Sequence, residues 1–101
     1  MKMRSYRDLF VWQKATDIVT SVYRISQSFP CEEVFGLTSR MRRSAVSIPS
    51  NIAEGLGRNS TCDYIRFLRI ACGSWYELQT QLEIALSLKY VSKDGVKEAS
   101  D

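Results

Sequence analysis

The chain has 101 residues, of which 45% are hydrophobic and 25% are charged, a composition that indicates one small globular domain over residues 1–101 rather than a disordered chain. It has no histidine, which excludes Ser-His and Cys-His nucleophile pairs, imidazole metal ligands and imidazole proton shuttles. The net charge is only +3, but six arginines and two acids fall within residues 36–69, so the middle third of the chain is basic.

The cysteine pattern and the hydropathy of the chain indicate the cellular compartment of the protein. Cys31, Cys62 and Cys72 are an odd number of cysteines without a C-x-x-C spacing. This pattern favours buried or partly buried free thiols in a reducing cytosol over a disulfide scaffold or a metal site. No signal-peptide core follows the charged N-terminus, and no apolar run approaches the roughly 20 residues that cross a bilayer. We therefore expect a cytoplasmic protein with no membrane partner.

The first two predicted helices cover residues 7–29 and 32–56. In the first, apolar residues recur at alternating steps of four and three, which is the spacing of a bundle helix, and Pro30 ends it because the residue before a proline avoids the helical region. The second helix starts with acids in its first turn, where the helix dipole favours them. Its apolar period continues through Pro49, whose ring and missing N–H predict a kink or break around residues 46–49.

The third predicted helix covers residues 61–88. Gly55 and Gly57 end the second helix, and Ser60 or Thr61 caps the third. A stub of a fourth helix is expected from about residue 93, and residues 96–101 make up fewer than two turns of it. No strand pattern or repeat is present, so the fold class is all-α. The apolar faces are wider than three helices easily cover, which predicts self-association.

The arginines of the middle third are the main functional signal. Arg40 and Arg43 lie three residues apart and share a helix face, as do Arg66 and Arg69. Two such pairs on adjacent helices would form a ladder for phosphates, because the guanidinium fork matches phosphate oxygens. The candidate nucleic-acid-binding residues are Arg40, Arg43, Arg58, Arg66 and Arg69.

Two interpretations of these arginines stay open. In the first, they contact the phosphates of RNA or DNA with little sequence preference. In the second, they pair with Glu54, Glu77 or Glu83, within a subunit or across an interface, and the chain is a protein-protein interaction scaffold. Glu54 is the favoured internal partner, because it is the only acid between Glu33 and Asp63.

The aromatic residues also have two possible roles, stacking on nucleic-acid bases or packing in the core or an interface. Most of them lie on or beside the predicted helical seams, which favours packing in the core or an interface over stacking on bases. The aromatic residues in question are Tyr6, Trp12, Tyr23, Tyr64 and Trp75. The chain shows no paired carboxylates, no metal-binding cluster and no nucleophile beside a base, so we expect no enzyme activity, no metal and no cofactor.

Three stretches of the chain resemble a known family. They cover residues 6–15, 35–55 and 66–82, within a similarity that spans roughly residues 6–90. The most specific motif in them is Arg42-Arg43-Ser44-Ala45-Val46-Ser47-Ile48-Pro49-Ser50-Asn51-Ile52-Ala53-Glu54-Gly55. The stretches resemble the four-helix-bundle proteins encoded in intervening sequences of 23S ribosomal RNA genes. That family is similar in turn to the accessory variability protein of diversity-generating retroelements.

The resemblance implies an up-down four-helix bundle that assembles into a ring-like homopentamer, with the fourth helix largely truncated in this chain. For the retroelement relatives it also implies a basic surface that binds nucleic acid and a reverse transcriptase. No enzymatic activity is associated with the fold. We therefore expect a non-enzymatic, oligomeric protein of the intervening-sequence type that binds RNA or DNA, with a reverse transcriptase as a partner by analogy only.

Overall fold

The described part of the chain, residues 5–94 of a computed structural model, contains α-helices and short 3-10 turns and no strand. The all-α prediction is therefore confirmed. The helices are α1 (Phe10–Ser26), α2 (Leu37–Leu56) and α3 (Thr61–Ser87), with 3-10 turns at Tyr6–Asp8 and Cys31–Glu33. Lys93 and Asp94 have helical backbone, and the rest of the predicted fourth-helix stub lies outside the described residues. Within the described range, no helix combines the length and hydropathy that crossing a bilayer requires.

The first two helices start later than the sequence predicts, because a 3-10 turn precedes each of them. Residues 6–8 turn under a cap from Ser5, whose Oγ accepts a hydrogen bond from the Arg7 amide at 3.1 Å. Residues 31–33 form a second turn, and Gly36 has non-helical angles, with φ −113° and ψ −115°. The acids predicted in the first turn of α2 therefore lie before the helix.

Pro49 does not break α2, which continues from Leu37 to Leu56. The side-chain amide of Asn51 donates to the Ser47 carbonyl at 2.7 Å and to the Ser47 hydroxyl at 2.8 Å. These bonds hold the turn around the proline, which is itself buried against the core. Of the two predicted alternatives, the break is wrong, because α2 is continuous through Pro49; the kink stays a prediction.

Helix α3 is closed at both ends by local hydrogen bonds. Ser60 caps its start as predicted, with its Oγ accepting from the Asp63 amide at 3.1 Å. At the other end Lys89 adopts the left-handed conformation, with φ 64°. The Tyr90 amide then donates to the Ala85 carbonyl at 2.9 Å, and the Lys89 amide donates to the Leu86 carbonyl at 3.0 Å. This is a Schellman cap with lysine in the position that usually holds glycine.

Helices α2 and α3 pack side by side in antiparallel directions. Their contacts run in opposite order along the two helices: the Ser44 hydroxyl donates to Glu77 Oε1 at 2.6 Å, and the Ser74 hydroxyl donates to Ser47 Oγ at 2.8 Å. Helix α1 packs closely on α2, whereas no Cα atom of α1 lies within 8 Å of one in α3. The buried apolar side chains of the described chain are Ala15, Val22, Phe29, Met41, Ala45, Ile48, Ile52, Ala71, Leu78, Leu82 and Ala85.

Gly55 and Gly73 both lie inside helices, but only Gly55 lies where α2 and α3 approach closely. A Cβ atom on Gly55 would lie 3.1 Å from the Phe67 Cβ and 3.3 Å from the Tyr64 carbonyl oxygen, whereas one on Gly73 would meet nothing within 4 Å. We expect Gly73→Ala to stabilise the fold by about 0.5–1 kcal/mol, because alanine favours the helix. Gly55→Ala should instead destabilise it by about 1–3 kcal/mol through overpacking.

Urea unfolding of the two alanine variants measures this difference, since both replace the same residue type inside a helix. Equal stabilisation by the two substitutions would show that the interface between α2 and α3 relaxes freely around Gly55.

Tyr90 connects the end of α3 to the loop before α2. Its hydroxyl donates to Glu33 Oε2 at 3.0 Å, and its ring lies 5.4 Å from that of Phe29. The other oxygen of the same carboxylate, Oε1, accepts from the Leu37 amide at 3.2 Å, so Glu33 also caps α2. The hydrogen bond to Glu33, followed by burial, raises the pKa of Tyr90 above its ordinary value of 10.0.

Stability should depend on the ionisation of Tyr90 at alkaline pH. Because the folded state raises the pKa of the phenol, the hydrogen bond stabilises the fold below pH 10.0 and is lost as the pH rises through the raised value. Tyr90→Phe keeps the ring packing and removes the bond. We expect the variant to be less stable than the wild type at neutral pH in urea unfolding, and the gap to close above the Tyr90 pKa. A gap that stays constant through this alkaline range would show that the bond to Glu33 does not contribute.

Candidate nucleic-acid interface

Two of the predicted phosphate-binding arginines are paired with nearby acids. Arg58 Nη2 lies 3.0 Å from Glu54 Oε2, and Arg66 Nη2 lies 3.6 Å from Asp63 Oδ1. Both guanidinium groups also lie over the ring of Phe67, at 4.7 and 5.2 Å from its centroid. The expected pairing of Glu54 is therefore confirmed. A phosphate would have to compete with these acids, so Arg58 and Arg66 are weaker candidates than their charge suggests.

The other three predicted arginines, Arg40, Arg43 and Arg69, are exposed and form no ion pair with any described residue. Within the described subunit, neither Glu77 nor Glu83 pairs with them. Glu77 instead accepts the hydrogen bonds of Ser44 and Gln81. These three guanidinium groups are therefore free to bind a partner outside the subunit.

The two arginine pairs do not form the ladder that their spacing predicts. Because α2 and α3 are antiparallel and Ser47 meets Ser74, Arg43 lies at the level of residue 78 on α3, twelve residues beyond Arg66. At 1.5 Å of rise per residue, the two levels are about 18 Å apart along the helices. The structure therefore places the predicted pairs at opposite ends of the α2–α3 hairpin.

Arg42 makes contacts with α1 that the sequence does not reveal. Its Nε donates to the buried Ser26 hydroxyl at 2.9 Å, and its Nη2 donates to the Tyr23 carbonyl at 3.4 Å. The guanidinium carbon lies 4.6 Å from the centroid of the Tyr23 ring. On α2, the side chain of Arg42 points in a different direction from those of Arg40 and Arg43. Its partners on α1 are 16 to 19 residues away in the sequence, so no short-range pattern identifies the contact between Arg42 and α1.

We call the surface around this contact the Tyr23 patch, defined by Tyr23, Arg24, Ser39, Arg42 and Arg43. An open hollow of about 430 Å³ lies in it; the lining residues are Tyr23, Val34, Thr38, Ser39, Arg42, Arg43 and Val46. A second hollow of about 490 Å³ lies beside it; the lining residues are Val19, Thr20, Tyr23, Arg24 and Gln27. None of the three arginines of the patch forms an ion pair with a described residue, so the patch carries uncompensated positive charge.

The aromatic residues mostly pack, as their positions predict. Trp12 and Trp75 are partly buried against the core, and the Tyr6 ring meets that of Trp12 edge to face at 5.2 Å. Tyr64 is half-buried beside Gly55. Tyr23 differs from them, because 42% of its surface is exposed among unpaired arginines.

An apolar groove lies between α1 and α3, with α2 as its floor. It encloses about 350 Å³, and the lining residues are Val11, Lys14, Ala15, Ile18, Ile48, Ile52, Leu68, Ala71, Cys72, Trp75 and Tyr76. Tyr76 and Val11 remain 67% and 53% exposed at its rim. The groove exists because α1 and α3 both pack on α2 without meeting each other.

The described residues hold no cluster of Cys, Asp or Glu side chains that is arranged to bind a metal ion. Cys31, Cys62 and Cys72 are free, but all three are exposed rather than buried. The expectation of buried or partly buried thiols is wrong, because Cys62 lies in the first turn of α3, Cys72 lines the open groove and Cys31 lies in the turn before α2.

Comparison with known proteins identifies the family. Comparison with curated proteins gives no match. Residues 7–101 match the sequence profile of the family described as 23S rRNA-intervening sequence protein, which agrees with the resemblance carried by the motif around Pro49. This match covers nearly the whole chain, and the helical structure fits it. The chain therefore belongs to the 23S rRNA-intervening sequence protein family.

Proposed function

We propose that this protein is a non-enzymatic, cytoplasmic, homo-oligomeric module that binds RNA or DNA through its arginines. The observation that carries the proposal is the set of unpaired, solvent-accessible arginines on the first half of α2, Arg40 and Arg43, joined by Arg42 and by Arg24 from α1. The family description, which refers to sequences within 23S rRNA genes, adds to this argument.

The charge distribution favours a polyanion over a small ligand. The arginines of this surface are spread along one end of two helices, and the hollows between them are open and shallow. Such a surface suits many weak phosphate contacts, each of which releases a counterion. Arg69 lies toward the other end of the hairpin and can make the same kind of contact, whereas Arg58 and Arg66 each lie beside an acid, at 3.0 and 3.6 Å.

Binding of labelled RNA or DNA at low and high salt tests the proposal. We expect binding at about 50 mM salt that weakens by orders of magnitude by about 200 mM, because phosphate contacts depend on counterion release. Fluorescence anisotropy of single-stranded and duplex probes measures it. Absence of binding to any probe at the lower salt concentration would contradict the proposal.

A second candidate, an interaction scaffold, is favoured by the apolar groove between α1 and α3. A monomer rarely leaves a continuous apolar groove uncovered. We propose that a neighbouring subunit covers it and so supplies the position of a fourth bundle helix, and the resemblance implies a pentamer. A reverse transcriptase remains a proposed partner by analogy only. If the arginines serve the subunit contacts instead, charge reversal at Arg43 or Arg66 should dissociate the oligomer.

Substitution at the groove tests this assembly. We expect Tyr76→Glu to shift the oligomer to smaller species in light scattering, because a carboxylate at the rim of an apolar interface loses hydration when the interface forms. Ile84→Glu is the matched control: it places the same charge on an α3 residue that is 45% exposed and outside the groove. Equal effects of the two substitutions would show that the groove is not the interface.

A further inference from the structure

We propose that the Tyr23 patch binds single-stranded nucleic acid, with one base stacked on the Tyr23 ring and the flanking phosphates bound by the arginines on either side. The inference rests on the proposed function and deepens it, because it names the class of strand, the stacking residue and the phosphate ligands. The patch combines the two elements that single strands require, a basic surface for the backbone and an exposed aromatic ring for a base.

The Tyr23 ring is held in place rather than free. Arg42 lies against it at 4.6 Å and is itself tied to α1 by hydrogen bonds to Ser26 and to the Tyr23 carbonyl. Ser26 is 3% exposed, so the anchor of this arrangement is inside the fold. A ring held in this way loses little conformational entropy when a base stacks on it. The remaining N–H groups of Arg42 are available to a phosphate.

Donors line both hollows that the Tyr23 side chain borders. Tyr23 lines both hollows of this surface: one contains Ser39, Arg42 and Arg43, and the other contains Arg24 and Gln27. A strand that crosses the ring therefore meets a guanidinium group before it and another after it. This arrangement suits a backbone that runs over the ring and turns one base down onto it.

The patch fits a single strand better than a duplex. In a duplex the bases are stacked on one another and offer only their edges, so a ring beside the backbone has no base face to contact. Val34 and Val46, which line the same hollow and are 51% and 40% exposed, give no favourable contact to phosphates. They do give apolar surface to an unstacked base. The chemistry of the patch is therefore that of single-strand recognition.

Comparing a thymidylate strand with an abasic strand distinguishes the contribution of base stacking to the affinity from that of the phosphate contacts. We expect Tyr23→Ala to weaken binding of an oligothymidylate of about 12 nucleotides by about 5- to 100-fold. The same substitution should change binding of an abasic strand of equal length, or of a duplex, by less than about twofold, since neither offers a base to the ring. Tyr23→Phe should bind like the wild type. Fluorescence anisotropy at low salt measures all three probes.

Phe10→Ala is the matched control. Phe10 is an exposed aromatic residue of the same helix, 70% exposed, and Lys14 lies over its ring at 5.5 Å, but no described arginine lies over that ring. We expect this variant to bind the thymidylate strand like the wild type. Equal losses from Phe10→Ala and Tyr23→Ala would overturn the inference, because the effect would not be specific to the patch.

Other outcomes separate the inference from the function on which it rests. Wild-type binding to strands and duplexes with no effect of Tyr23→Ala would overturn the inference and leave nucleic-acid binding standing. An equal loss on the thymidylate and abasic strands would also overturn it. Failure of the wild type to bind any of the probes would overturn both. A change of oligomeric state in Tyr23→Ala, seen by light scattering, would assign the patch to a subunit interface and overturn the single-strand site.

Discussion

Replacing Arg40 and Arg43 together by glutamine should lower the affinity for a nucleic-acid strand by roughly 10- to 100-fold at about 0.1 M salt. Both side chains are exposed and unpaired within the described subunit, so each can neutralise one phosphate and release a counterion. The slope of log affinity against log salt should fall by about 1.4–1.8, since two phosphate contacts are lost. Anisotropy titrations across a salt series measure the slope and the affinity together.

The double variant Arg58→Gln/Arg66→Gln is the control. It also removes two positive charges from the chain, but these two arginines are paired with Glu54 and Asp63. We expect a much smaller loss of affinity and almost no change in the salt slope. Equal losses from the two double variants would contradict the assignment, because net charge rather than the position of the unpaired arginines would then control binding.

Leu78→Ala should destabilise the fold by about 2–5 kcal/mol, the usual cost of a cavity in a packed core. Leu78 is fully buried at 0% exposure and belongs to the apolar core. For a domain of this size the melting temperature should fall by an amount on the order of 10–30 °C. Thermal unfolding followed by circular dichroism measures the shift.

Ile84→Ala is the control for this substitution. It removes a similar apolar volume from the same helix, but Ile84 is 45% exposed and lies outside the buried core. We expect a change within about 0.5 kcal/mol. A loss as large as that of Leu78→Ala would show that Ile84 is covered in the assembled protein, and would identify a second subunit contact on the outer face of α3.

Much of the fold could be predicted because it depends on local patterns. The apolar spacing identifies all three helices, and Ser60 caps α3 where the sequence predicts. The start of α2 could not be predicted, because it depends on contacts from distant parts of the chain. Glu33, which caps α2 through one carboxylate oxygen, accepts through the other a hydrogen bond from the Tyr90 hydroxyl, 57 residues away. Continuity at Pro49 likewise depends on its burial in the tertiary core.

The candidate site was less predictable, because a helix pattern does not say which element a side chain meets. The face shared by Arg40 and Arg43 follows from their spacing, and both remain unpaired in the described subunit. The separation of the two arginine pairs along the α2–α3 hairpin follows only from the antiparallel packing of the two helices. The contact of Arg42 with Tyr23 joins two helices and leaves no pattern within either one.

The packing of α1 on α2 alone has a consequence for how the molecule opens. By Cα distance α1 lies close to α2 but not to α3, whereas α2 lies close to both α1 and α3, so detaching α1 leaves the closely packed α2–α3 hairpin intact. In native-state hydrogen exchange, the amides of α1 should therefore exchange through a sub-global opening of lower free energy than those of α2. Such an opening would also separate Arg42 from Tyr23. A strand bound across the patch should slow the exchange of α1, which would make this helix a reporter of ligand occupancy.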